Sequence, residues 1–403
     1  LMSWEEIELK EVSKYRTEKI NTTEIETNYI STENMLPEKG GIIVSSYPPT
    51  SKTVASFKTN DVLVSNIRPY FKKIWFADFD GGCSNDVIVF KSDERNLIPK
   101  FLYYQLSKDE FFDFMMSGAN GTKMPRGNRK AIPKFKLLLP PIPTQKRIAD
   151  ILSSYDDLLQ NNLKRIKLLE QAAQNIYKEW FVNLRFPGQE NTPINEETGL
   201  PEEWEEKALG DIITKLESGS RPKGGIDKTL KEGVPSVGAE SVRGLGYFDF
   251  SKTKYVKTDF FEKMRKGILE DRDILIYKDG AYIGRSTLFQ DNFPFEQCSI
   301  NEHIFLIHAT NEEFQYYLYF TLHSDLYFEK MQNLNSNAAQ PGINQKKIKT
   351  LPVITPTLDL LLKFDSIVEP IVKQIYQLAK MNLELKTGRD ILLPRLMNST
   401  IEV

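Results

Sequence analysis

Two cysteines and three histidines in 403 residues leave little material for metal, redox or imidazole chemistry. Cys83 and Cys298 stand far apart, so neither a disulfide framework nor a zinc site is supported. They read as small buried hydrophobes, and they fit a reducing compartment. His303, His308 and His323 all lie in the second half and read as structural. No run of about 18 apolar residues occurs, and no charged-then-apolar segment opens the sequence. Membrane spanning and secretion are therefore not expected, and a cytoplasmic location is. A Gly-x-x-x-x-Gly-Lys-Ser/Thr phosphate loop is missing, as is Gly-x-Gly-x-x-Gly after a strand, which removes the common nucleotide and cofactor cradles. The Asp/Asn-Pro-Pro-Tyr/Phe loop that an adenine methyltransferase needs for its flipped base is missing too. Pro48-Pro49 follows Tyr47, and Pro140-Pro141 follows Leu139. Carboxylates are plentiful, but no spacing singles out an acid–base pair. The chain reads as a binding protein, not an enzyme, with no cofactor.

Charge is nearly balanced, with 53 basic and 55 acidic residues and a net charge of −2. That argues against a uniformly basic surface but not against local patches. Lys123, Arg126, Arg129, Lys130, Lys134 and Lys136 fall between Gly121 and Lys136 with no acid among them, and Arg68, Lys72 and Lys73 follow Asn66 in the same way. Glu190, Glu196, Glu197, Glu202, Glu203, Glu205 and Glu206 form the opposite block and mask the basic ones in the total.

What the chain does have is itself, twice. Trp4-Glu5-Glu6 recurs as Trp204-Glu205-Glu206, Asp61-Val62-Leu63-Val64 as Asp273-Ile274-Leu275-Ile276, and Cys83-Ser84 as Cys298-Ser299. Tyr103-Tyr104 recurs as Tyr316-Tyr317, and Pro125 to Ile132 as Pro341 to Ile348. A period that long is no solenoid, whose units run about 20–50 residues. It is a duplicated domain plus a helix. Residues 1–142 and 188–354 read as mixed domains with short β-type runs and one aromatic helix each, Phe101–Phe114 and Phe314–Met331. Residues 143–187 and 355–403 carry long helices. The first places Ile148, Leu152, Tyr155, Leu159, Leu163, Ile166, Leu169, Ala173, Ile176 and Trp180 at steps of three and four. The second runs from Thr357 to about Leu396, with Pro370 expected to kink it and Gly388 to weaken it. Helices of about 40 residues span roughly 60 Å. The simplest partner for each apolar stripe is the other helix, in an antiparallel pair.

DNA binding needs cations for phosphates and forked or amide side chains for base edges. Gly- and Pro-punctuated loops offer them. The first copy supplies Asn66, Arg68, Lys72 and Lys73 after a strand, then Lys123, Arg126, Asn128, Arg129 and Lys130. The second supplies Arg221 and Lys223, then Lys278, Tyr282 and Arg285 after a strand, then Asn335, Asn337, Gln340, Gln345 and Lys346. Two such domains on a helical ruler fit a split site on double-stranded DNA, since major grooves on one face recur about every 34 Å. The same architecture also fits a coiled-coil scaffold whose end domains bind protein.

Read further, the chain resembles the DNA-specificity subunit of a type I restriction–modification system. Leu139-Pro140-Pro141-Ile142-Pro143-Thr144-Gln145-Lys146-Arg147-Ile148-Ala149-Asp150-Ile151-Leu152 carries the resemblance, with Pro341 to Ile348 and Cys298-Ser299-Ile300-Asn301. The resemblance implies an α+β chain with two similar target-recognition domains, separated by two long helices that form an antiparallel coiled coil with pseudo-twofold repeat. It implies as partners two modification subunits, which methylate adenine using S-adenosylmethionine, and a restriction subunit with motor and nuclease activity. The second helix opens at Thr355-Pro356-Thr357-Leu358 without Gln-Lys-Arg-Ile, so the two copies are expected to dock modification subunits unequally. Arg68-Pro69 is set opposite Asp279-Gly280, and such loop differences imply two different half-sites.

Overall fold

Val62-Leu63-Val64 is apolar at every position, and a strand of that kind must bury both of its faces. The computed structural model describes residues 4–25, 27–43, 49, 51–119, 121, 123–227, 229–280, 282–334 and 342–403. It forms two units, residues 1–158 with 385–403 and residues 159–384. In the first unit the strand Val62–Ser65 lies inside an antiparallel sheet, in the order Ser13–Tyr15, Val87–Ser92, Val62–Ser65, Ile74–Phe76. Its side chains alternate between two cores, as period-2 geometry dictates. Val62 and Val64 join Ile74, Ile88 and Phe90 against the helices, while Leu63 joins Trp75, Val87 and Val89 against a second sheet that contributes Phe57 and Cys83. Each fully buried apolar side chain contributes roughly 1.5–3 kcal/mol.

The second unit repeats this plan. Its main sheet runs Ile213–Ser218, Ile304–Ala309, Ile274–Tyr277, Ser286–Leu288. Ile274 and Ile276 enter one core, and Leu275 enters another with Cys298 and Leu306. Both cysteines are buried, as their place in the repeat suggests. The recurring Trp-Glu-Glu segments have a structural purpose. Glu5–Glu8 pairs antiparallel with Lys136–Leu139, and Glu205–Ala208 with Pro352–Thr355. Each pairing ties the start of a domain to the strand that feeds its long helix.

The single aromatic helix expected in each copy is in fact two. Pro99–Leu106 is followed by Asp109–Ser117, and Gln315–His323 by Asp325–Asn333. One extended residue makes each break: Lys108 (ψ 148°) or Ser324 (ψ 152°). The Ser324 hydroxyl accepts from the Tyr327 N–H, an N-cap that restarts the helix.

The first long helix, Ile142–Tyr177, continues into a π-helical turn at Lys178–Val182. Gln145, within the motif that carried the resemblance, is fully buried and clamps the helix start. Its Oε1 accepts from the Ile98 N–H at 2.9 Å, and its Nε2 donates to the carbonyls of Asn96 and Pro140, each at 2.8 Å. The second long helix, Leu358–Met397, is unbroken at Pro370 and Gly388. Val368 and Val372 are buried on either side of the proline, while Gly388 makes room for a ring, since a Cβ there would meet Tyr155 Cε1 at 3.3 Å.

In the first unit Arg389 of the second helix donates to Asp156 at 2.7 Å, and the Tyr104 hydroxyl donates to the other oxygen of that carboxylate at 2.6 Å. In the second unit the helices run antiparallel. Asn162 Nδ2 donates to Asn382 Oδ1 at 3.0 Å, and further along the Trp180 and Phe364 rings lie 6.0 Å apart.

Candidate nucleic-acid interface

In the first unit the loop after Val62–Ser65 turns sharply. Arg68 and Lys72 hold left-handed backbone (φ 49° and 51°) around a 3₁₀ turn that Pro69 begins. This loop is stitched to the later Gly- and Pro-rich loop. The Asn66 N–H donates to the Asp86 carbonyl (2.8 Å), the Gly127 N–H to the Asn66 carbonyl (3.1 Å), and the Arg68 N–H to the Pro125 carbonyl (2.7 Å). Ile67 and Arg126 form an antiparallel bridge. Two basic segments far apart in sequence thus make one surface.

Not every cation on it is available. Lys72 is held by Asp109 at 2.9 Å, and Lys39 grips the same carboxylate at 2.9 Å. Burial works against the Asp109 carboxylate, but these two ammonium groups hold its pKa below the ordinary value. Lys73 donates to the Thr32 carbonyl at 2.6 Å, and burial pulls its pKa down. Arg129 donates to the Asn85 carbonyl, while its own carbonyl accepts from the Tyr15 hydroxyl at 2.9 Å, so it braces the loop. Asn128 Oδ1 caps the turn at the Lys130 N–H (3.0 Å). Asn66 is 5% exposed, and its Oδ1 lies where a side chain at Gly127 would collide at 2.8 Å. Arg68 is half-buried. The exposed cations of this loop are Lys123, Arg126, Arg129 and Lys130, and of these Arg126 has Asp86 at 3.4 Å while Arg129 is engaged with a backbone carbonyl.

The second unit repeats the stitching. The Lys278 N–H donates to the His303 carbonyl (3.0 Å), the Ile343 N–H to the Lys278 carbonyl (2.9 Å), and Asp279 bridges Gly342. This pairing sets Asp279 opposite Ile67 and Gly280 opposite Arg68. The sequence alignment of Arg68-Pro69 with Asp279-Gly280 is therefore one residue out, because register carries straight through from the preceding strands. Lys278 is largely covered, its ammonium 5.1 Å from the Phe305 ring centre. The Arg285 guanidinium stacks on the exposed Tyr282 ring, 3.7 Å from its centre. Arg221 reaches Glu302 at 3.3 Å, and Lys223 is exposed. Gln345 and Lys346 are exposed on the short helix Gln345–Lys349, whose first turn Asn344 caps. Asn335, Asn337 and Gln340 lie outside the described residues.

A cleft of about 330 Å³ opens beside this loop. Tyr277, Asp279, Tyr282 and Arg285 form one side, Glu240, Arg243 and Lys254 another, and Asn301 and His303 a third. Burial works against the Glu240 carboxylate, yet Lys254 at 2.8 Å leaves its pKa below the ordinary value. His308 and His323 behave as the structural residues expected, His308 against Asp273 (3.0 Å) and His323 beside the Ser286 hydroxyl (2.9 Å). His303 does not, for it is exposed on the cleft. Sequence reasoning passed over Asp279, Arg243, Lys254, Asn301 and His303. The Cys-Ser-Ile-Asn segment pointed toward Asn301 and His303, whereas nothing local marks Arg243 or Lys254. Such a surface, with cations, a stacked guanidinium and amide and carboxylate acceptors, suits contact with phosphates and base edges.

Comparison with known proteins bears on what this surface meets. Residues 2–171 and 201–387 match the sequence profile described as the type I restriction modification DNA specificity domain. A protein of Methanocaldococcus jannaschii named type I restriction enzyme MjaIX specificity subunit is 26% identical over 330 residues, which is 77% of this chain and 72% of that one. The type I restriction enzyme MjaVIII specificity subunit of the same organism is 24% identical over 338 residues, 82% and 76% of the two chains. Among solved structures, the S subunit of a type I restriction–modification system from M. genitalium aligns over 98% of this chain and 96% of its own. Its TM-score is 0.57 at 18% identity, which is a likeness of fold.

Proposed function

We propose, from the premise that this chain belongs to the type I restriction–modification DNA specificity family, that each of its two units reads one half of a split DNA site. The chain is α+β, with two similar target-recognition domains and two long helices in an antiparallel coiled coil, and it is a specificity subunit rather than an enzyme. On this reading residues 1–142 and 188–354 are the readers, and the helices 143–187 and 355–403 set the unread spacer. Two modification subunits and a restriction subunit supply the chemistry.

The observation that carries the reading is the stitched pair of loops, joined in both units by two matching backbone hydrogen bonds and a matching bridge. Arg126, Lys123 and Lys130 in one unit, and Arg285, Tyr282, Arg221, Lys223 and Lys346 in the other, are the foremost contacts. Arg68 and Lys278 lie beneath them, and the Asn335–Gln340 segment adjoins the second set in sequence.

Duplex binding measured across a salt series tests this. Phosphate contact releases counterions, so affinity falls steeply with salt, and each phosphate contact removed flattens the log–log slope by about one. Lys123→Ala and Lys130→Ala are expected to flatten it together. An affinity indifferent to salt would leave a protein-binding scaffold as the better description.

A further inference from the structure

Three backbone positions meet in each unit through the same contacts, and their side chains have been exchanged wholesale. The residue two beyond the central strand bridges the late loop, being Ile67 in the first unit and Asp279 in the second. Its bridge partner is Arg126 or Gly342. The carbonyl that anchors the preceding residue belongs to Asp86 or His303. The first unit thus carries Ile, Asp and Arg, with Arg126 at 3.4 Å from Asp86. The second carries Asp, His and Gly, with His303 Nδ1 at 3.4 Å from Asp279. The acid has moved from one position to another, and its side-chain contact has moved with it. Gly342 leaves room for the Asp279 carboxylate as it lies here, since a Cβ on residue 342 would meet Asp279 Oδ1 at 2.7 Å.

Positions kept for the fold look different. Asp61 and Asp273 stand at matching places before the central strand, and each accepts an N–H from three residues upstream, Lys58 at 2.7 Å and Glu270 at 2.8 Å. A constant scaffold under four changed polar side chains (Asp86, Arg126, Asp279 and His303), each between 37% and 54% exposed, is the pattern expected of a surface that discriminates among ligands.

We infer that these three positions form the base-reading layer of each unit, with Arg126 and Asp279 as its specificity-determining residues. This rests on the DNA-reading function proposed above and names its chemistry. Arg126, oriented by Asp86, presents paired N–H donors that suit guanine O6 and N7. Asp279, steadied by His303, presents only acceptors and suits the amino group of cytosine or adenine. The two halves of the site therefore differ at the bases facing this layer.

The test is enrichment of random-sequence duplexes by the full chain, in the complex in which it is purified from its native cells. Wild type is expected to enrich two sequence blocks. Asp279→Asn is expected to change base preference about tenfold at one position of one block and to leave the other block alone. Arg126→Gln is expected to do the same in the other block. His303→Gln keeps the anchoring carbonyl and is expected to weaken preference in the Asp279 block only. Should D279N fail to fold, Asp279→Glu, which keeps the charge and alters its reach, replaces it with the same expected block. Unchanged blocks in D279N and R126Q at wild-type affinity would overturn the layer while DNA reading stands. A wild-type chain that enriches no block would overturn the DNA reading itself.

Discussion

The same carboxylate at the same place in a repeat has two different neighbourhoods. Asp61 is met by the Arg16 guanidinium through two hydrogen bonds, at 2.5 and 3.0 Å. Asp273 is completely buried and meets no arginine, its neighbours being the Glu270 N–H at 2.8 Å, Lys215 at 3.7 Å and His308 at 3.0 Å. Burial outweighs all three, pushing the Asp273 pKa up to about 6. A carboxyl raised above its unfolded value favours the protonated fold. Its contribution is present below about pH 4 and is lost as pH rises through about 6. Asp273→Asn cannot ionise. The variant is therefore expected to gain on wild type between pH 4.5 and 7.5, by on the order of 2 kcal/mol in unfolding free energy. A difference that stays constant across that range in denaturant titrations would show that the carboxylate is stabilised as an anion. The sequence shows the recurring aspartate plainly. It does not show whether an arginine meets it, because Arg16 arrives from 45 residues away.

Elements built on local spacing are the ones the sequence makes plain. Both long helices, the strands flanking Asp61 and Asp273, and the protruding loops follow from apolar period and from Gly and Pro placement. What escaped is set by contact at a distance. Lys72 and Lys73 look like binding cations until Asp109 and the Thr32 carbonyl claim them. Gly388 looks like a flaw until Tyr155 fills its notch. The helix seam holds a polar pair that no periodicity reveals, Asn162 with Asn382, and Asn162 is 3% exposed. Such a pair specifies register, because slipping strands the buried Asn162 amide away from its partner. Asn382→Leu is expected to cost about 1–3 kcal/mol by orphaning Asn162, and adding Asn162→Leu to recover most of it. Additive losses in this double-mutant cycle, followed by thermal denaturation, would mean that the two amides act independently.

At the level of the whole chain, duplication followed by divergence predicts a recognition sequence with unlike halves. Mapping methylated adenines in cells that carry this chain is expected to give two short blocks that are not inverted copies of each other. Identical inverted halves would contradict the side-chain exchange between Ile67, Asp86, Arg126 and Asp279, His303, Gly342. The first unit has one more property, which lies in the order of its parts. Its core is completed by Leu393, Leu396 and Met397, packed in the same cluster as Ile148, Leu152 and Phe101. On the ribosome those wedges emerge only after the entire second unit has been made. The portion synthesised first must therefore wait, its greasy flank uncovered, while the portion synthesised later is already able to close. A message cut short anywhere in that interval releases a product whose leading half is unfinished, and such products are ready prey for proteases.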